Sequence, residues 1–219
     1  MLLKIENLHK TYYTSNKKIN ILQDLCLEIE QNEIVSIFGA SGSGKSTLLN
    51  IISGLLTYDS GRIFFEKKIF ESSFDFTSFR KNDIGIVFQE NFLLNEFTVI
   101  ENIMIPNIIK GIEKNIAHKN ALNLLDKFEL LSIKDTYPNS LSGGEKQRVS
   151  ILRSIINNPK LLLADEPTGS IDESNKSKVF SLFKTISDDY NTSIIIMTHD
   201  NNVSKISNNI LNLSKGRLK

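Results

Sequence analysis

The chain opens with runs in which apolar positions alternate with polar ones or follow one another. Leu2 to Leu8, Ile21 to Ile29 and Ile34 to Phe38 have this pattern and are separated by polar turns, so strands are expected over 1–38. Gly39 to Ser46 is a glycine-rich loop. Thr47 to Leu56 then predicts a helix ending at the turn Asp59-Ser60-Gly61. Arg62 to Phe70 reads as a hairpin, although its turn, Glu66-Lys67-Lys68, lacks the usual glycine. Asp83 to Gln89 reads as a short buried strand.

From about 90 to 158 the apolar spacing becomes helical, as in Ala121, Leu122, Leu124, Leu125 and Phe128. This block reads as a helical insertion. After it, Leu161 to Ala164 and Ser193 to Thr198 predict buried strands around a helix at Ser174 to Ser187. A short helix and a last strand, Ile210 to Leu213, follow. Alternating strands and helices imply a mostly parallel sheet flanked by helices. The expected fold is thus α/β, with an N-terminal antiparallel β part and an inserted helical part, all within one domain spanning 1–219.

Composition adds limits. The chain has 219 residues, 40% hydrophobic and 23% charged, which suits one globular domain with a sizeable core. Its net charge of +1 gives no basic excess, so nothing points to a nucleic-acid partner. Lysines outnumber arginines 21 to 5, which we read as genome base composition. The one cysteine, Cys26, excludes an internal disulfide and reads as a small core residue on a strand. The most apolar stretch, Phe92 to Ile112, is broken by polar residues and Pro106, so no spanning helix is expected. Met1 to Glu6 lacks the long apolar core of a signal peptide. A cytoplasmic protein able to bind a membrane partner is the resulting expectation.

The chemistry starts at Gly39-Ala40-Ser41-Gly42-Ser43-Gly44-Lys45-Ser46, which fits G-x-x-x-x-G-K-[ST] between a strand and a helix. Such a loop brings backbone N–H groups and a positive helix end to a triphosphate. Lys45 would reach the β- and γ-phosphates and the Ser46 hydroxyl would ligate Mg²⁺. Thr47, the next helical residue, belongs to the same nucleotide site. The strand Leu161 to Ala164 runs into Asp165-Glu166. A carboxylate at the end of a buried strand needs a compensating partner, and Mg²⁺ on the nucleotide supplies one for Asp165. Glu166 would then polarise the attacking water.

Leu141-Ser142-Gly143-Gly144-Glu145, continuing Lys146-Gln147-Arg148-Val149, resembles the signature motif of ABC-type ATPases, and it opens a helix with Val149, Leu152 and Ile156 on one side. The resemblance covers essentially the whole chain and implies a P-loop NTPase core. It implies that Gln89 contacts Mg²⁺ and water, that Ser170-Ile171-Asp172 forms the D-loop, and that His199 contacts the γ-phosphate. The usual leucine is replaced by Ile171. Tyr12 matches the aromatic that stacks on adenine, with Tyr13 as its competitor. The resemblance further implies a head-to-tail homodimer, in which Ser142, Gly143 and Gly144 of one copy cap the ATP on Lys45 of the other.

Phe88 to Leu94, Phe97 to Pro106 and Leu163 to Gly169 are similar to the lipoprotein-releasing (LolD-type) and macrolide-export (MacB-type) branch. That similarity implies integral membrane permease partners of the FtsX-type fold (LolC/LolE-like), reached from the cytoplasmic face of the inner membrane. An FtsE-type cell-division ATPase and a MacB-like exporter or solute importer are the alternatives. Phe92, Leu93, Phe97 and Ile103 are candidates for a groove receiving the permease, or else for ordinary core. Phe74, Phe76 and Phe79 are likewise either core or a partner surface.

Overall fold

A computed structural model of the chain describes residues 1–14, 17–169 and 171–219. Ser170, of the expected D-loop, lies outside the described residues. In chain order the elements are β1 (Leu3–Thr14), β2 (Lys17–Ile29), β3 (Ile34–Phe38), α1 (Lys45–Ile52), β4 (Ser60–Phe65), β5 (Lys68–Ile69), α2 (Phe76–Asn82) and β6 (Ile84–Val87). There follow α3 (Val99–Lys110), α4 (Lys114–Lys127), α5 (Gly143–Ile155), β7 (Leu161–Asp165), α6 (Glu173–Tyr190), β8 (Ser193–Thr198), β9 (Asn209–Ser214) and β10 (Arg217–Leu218).

Among the described residues the strands form two sheets. An antiparallel sheet has the order β2-β1-β4-β5, and a larger one the order β10-β9-β3-β8-β7-β6. In the larger sheet β9, β3, β8, β7 and β6 run parallel, and β10 turns back antiparallel to β9. The parallel strands separate two cores. Leu161 and Leu163 of β7 pack with α1 and the antiparallel sheet, whereas Leu162 and Ala164 pack with α3, α4, α5 and α6. β8 divides in the same way, with Ile195 and Met197 on the first side and Ile194 and Ile196 on the second. Burial on both faces explains why these strands read as continuous apolar runs.

Several expectations change. Cys26 is exposed. Leu25, Leu27 and Ile29 fill the buried face of β2, so the strand's period of two turns Cys26 outward, where its thiol meets Asn7 at 3.5 Å. Helix α1 stops at Ile52 rather than Leu56, because Gly54 turns the chain at φ +68° beneath the Phe76 ring. The strand before Gln89 ends at Val87. Ile103 is fully buried and belongs to the core. Phe74, Phe76 and Phe79 join Phe65 and Phe70 in a cluster of edge-to-face and tilted rings with centroids 4.4–5.4 Å apart, with Phe79 buried in the core and Phe74 and Phe76 partly buried against it. The β4–β5 hairpin does form without glycine, with Glu66 at φ +54°.

Candidate functional site

Because β3, β6, β7 and β8 are parallel neighbours within one sheet, their carboxyl ends lie along one edge. The chain therefore brings the glycine-rich loop after β3, Gln89 after β6, Asp165-Glu166 at the end of β7 and His199 after β8 to one cleft. The cleft encloses about 580 Å³. Gly39, Ala40, Ser41, Gly42 and Gly44 form its wall, with Lys45, Ser46 and Thr47 at the start of α1.

Helix α1 begins differently from its neighbours. α3 and α5 each carry a complete capping box, Thr98 with Glu101 and Ser142 with Glu145. α1 starts at Gly44 with no capping side chain and no acid in its first turn, so its first N–H groups are left for another acceptor. Gly44 sits at φ +106°, a backbone angle that strains any L side chain, and a Cβ there would crowd Ile21 and Leu22 at 3.0 and 3.1 Å.

The polar side chains of the cleft are linked. Lys45 Nζ donates to the Gly39 carbonyl at 2.7 Å and lies 3.4 Å from Glu166 Oε1. The other Glu166 oxygen is 2.9 Å from His199 Nδ1 and accepts from the His199 backbone N–H at 3.3 Å. Glu166 holds a left-handed φ of +44° directly before Pro167, a position where non-glycine residues are strained. Two backbone bonds fix it, from its own N–H to Met197 O at 2.7 Å and from Gly169 N–H to its carbonyl at 3.0 Å. Strain held in this way aims the carboxylate between lysine and histidine.

Burial pushes the Asp165 carboxyl above its ordinary range. A Ser46 hydrogen bond opposes this, the Glu166 charge adds to it, and Lys45 opposes it. Asp165 Oδ1 is buried and has no hydrogen-bond partner. An acceptor in that condition, beside the Ser46 hydroxyl and Gln89, is an oxygen donor set of the kind Mg²⁺ takes together with phosphates. The residues fit the ion.

Other expected residues lie elsewhere. Ser142, Gly143 and Gly144 do not line this cleft. Ser142 and Gly143 are exposed at the head of α5, and the Ser142 hydroxyl is 2.6 Å from Glu145 Oε2. That hydroxyl and the Ser142 N–H hold the Glu145 carboxyl below its usual range. Asp172 caps α6, accepting from Asn175 N–H at 2.9 Å. Ser43 borders a second recess between the phosphate loop and the β9–β10 hairpin. Tyr12 is partly exposed on β1 opposite Ile19 of β2, while Tyr13, opposite Lys18, is more exposed. Ile19 and Ile21 line the recess beside the loop and Ile21 also lines the cleft, whereas neither Tyr12 nor Tyr13 lines either of them. Ile21 lines the cleft and was not foreseen, because an aliphatic residue in an alternating strand carries no chemical signal.

Residues 22–169 match the family model described as ABC transporter. The chain is 44% identical over 220 residues to the lipoprotein-releasing system ATP-binding protein LolD of Blochmanniella floridana, covering 100% of this chain and 94% of that protein. It is also 37% identical to the putative hemin import ATP-binding protein HrtA of Staphylococcus haemolyticus, covering 100% and 99%. Among solved structures it is similar to the dimeric post-hydrolysis state of the ATP-binding cassette MJ0796 bound to ADP and Pi. That match has a TM-score of 0.90 and 35% identity, covering 100% of this chain and 97% of that one. A glycine-rich loop, a strand-end acid pair and a detached signature helix, on a fold shared across the whole chain, place this protein in the ABC transporter ATPase family.

Proposed function

We propose that the chain is the ATP-hydrolysing subunit of a membrane complex that releases lipoproteins from the inner membrane, working from its cytoplasmic face as one domain. The observation that carries the catalytic part is the Lys45–Glu166–His199 linkage at the parallel strand ends. The cargo rests on the similarity to LolD-named relatives.

In this reading the loop from Gly39 to Thr47 binds the phosphates through its backbone N–H groups, and Lys45 exchanges the Gly39 carbonyl for phosphate oxygens. Ser46, Asp165 and Gln89 would hold Mg²⁺, which would supply positive charge against the phosphates. Freed from Lys45, Glu166 accepts a proton from the attacking water, with the His199 imidazole beside it to hydrogen-bond the γ-phosphate. Tyr12 stacks on adenine. Ser142, Gly143 and Gly144 complete the site from a second copy, and Asp172 lies at the same junction. Three facts support that division. Ser142 and Gly143 face solvent, all three signature residues lie outside the cleft, and the similar cassette MJ0796 is dimeric.

Tagged protein drawn from detergent-solubilised native membranes tests the assignment, with its companions identified by mass spectrometry. Two related FtsX-type permeases with large periplasmic domains, or one used twice, are expected. A division-type partner, a solute or hemin permease, or no membrane protein at all would overturn the lipoprotein reading.

A further inference from the structure

The segment from Gln89 to Thr98 joins the catalytic cleft to the molecular surface. Gln89 lines the cleft, and within ten residues Phe92, Leu94 and Phe97 are 59%, 44% and 41% exposed. Three large apolar side chains on one irregular segment suggest a contact surface, and a segment without regular structure would ordinarily absorb a push by bending. Here it is pinned from both sides. Asn102 of α3, fully buried, donates from Nδ2 to the carbonyls of Leu94, Phe97 and Thr98 at 3.0 Å each, and its Oδ1 accepts from Leu94 N–H at 2.8 Å. Arg153 of α5 donates to two successive carbonyls, Asn91 and Phe92, at 2.7 Å each.

The second clamp has a chemical peculiarity. Arg153 is partly buried, and that burial lowers its pKa. Among the described residues no carboxylate pairs with it, and only neutral backbone oxygens take its fork of donors. Removing a cation from water without a counter-charge costs free energy, so this is an expensive way to fasten a loop. Its benefit is rigidity, because a planar guanidinium bonded to consecutive carbonyls fixes both position and orientation. At the other end of the same helix, eleven residues away and about 16 Å along its axis, stands Ser142.

We infer that Arg153 is a positioning residue that locks the exposed Phe92–Phe97 segment to α5, so that a permease pressing on that segment moves the signature serine as one body with it. The inference rests on the permease-docking reading above. Without the clamp the segment yields, the partner still binds, and the push no longer reaches Ser142.

Arg153→Met and Arg153→Lys test it in the complex purified with its membrane partner. Steady-state ATPase is measured for each chain alone and in the complex, with thermal melts as the control for folding. We expect Arg153→Met to keep its partner and the unstimulated rate of the isolated chain, and to lose partner stimulation by about fivefold or more, the scale of coupling between distant sites. Arg153→Lys, able to reach one carbonyl, should be intermediate. A folded Arg153→Met complex stimulated like wild type overturns the inference. Should that variant not fold, full stimulation in Arg153→Lys overturns it and partial stimulation supports it. A wild-type complex showing no stimulation instead removes the docking reading, and the inference with it.

Discussion

At the scale of single residues, Glu166 and Asp165 are adjacent carboxylates placed in opposite circumstances. Glu166 is held between a lysine and a histidine at 3.4 and 2.9 Å, while Asp165 has a buried oxygen without a partner. Glu166→Gln keeps the shape of the side chain and removes its ability to take a proton. We expect turnover to fall at least about 100-fold with ATP binding retained, measured by phosphate release and equilibrium dialysis. Unchanged turnover would remove the assigned role. Asp165 behaves differently in the nucleotide-free protein. Its carboxyl is raised by burial, so the folded state holds the proton more tightly than the unfolded chain. The stability this group contributes is full below the ordinary carboxylate range and is lost as pH rises through the raised value. Asp165→Asn should therefore melt higher than wild type at about pH 7.5, with the gap narrowing toward about pH 4.5. The same variant should lose the Mg²⁺-dependent part of nucleotide affinity. A lower melting point at both pH values would contradict the burial argument.

At the scale of elements, the contrast lies between helix starts. α3 and α5 are capped by their own side chains, and α1 is left open toward the cleft. Ser142→Ala removes the hydroxyl that accepts from Glu145 N–H at 3.3 Å and donates to its carboxylate at 2.6 Å. Loss of an N-cap costs about 1 kcal/mol, so the melting temperature should fall by about 2–4 °C in a chain of this size. Nucleotide affinity of the isolated chain should stay the same, because Ser142 lies outside its own cleft. This scale also shows what the sequence makes legible. The glycine-rich loop, Asp165-Glu166 and His199 could be placed because each follows a buried strand, and strand ends in a parallel sheet converge whatever the loops do. Cys26 was misplaced by reading its type rather than its phase, since Leu25, Leu27 and Ile29 already occupy the inward positions. The aromatic run from Phe70 to Phe79 could not be settled, because Phe70 and Phe74 lie in irregular chain and the seven-residue helix that follows has too little periodicity to show which face is buried. The clamps by Arg153 and Asn102 were beyond reach for another reason. Arg153 bonds to backbone carbonyls, and these carry no sequence signal.

At the scale of the whole molecule, the arrangement is catalytic machinery separated from the surface that would complete it. Lys45, Asp165, Glu166 and His199 meet in one cleft, while Ser142 and Gly143 stand exposed at the head of a different helix. On the proposed reading such a chain would bind ATP alone and complete its site only by pairing, so nucleotide state would control association to the extent that ATP favours the closed pair. On the inference above, the exposed segment at Phe92 to Phe97 would give a membrane partner a point of leverage on that pairing. Sedimentation velocity of the Glu166→Gln chain, which traps ATP unhydrolysed, tests this most directly. The account predicts a dimer with MgATP, a monomer with MgADP, and a monomer again when Gly144→Asp is added to disrupt the signature. A species that stays monomeric with ATP bound at Lys45 would contradict it.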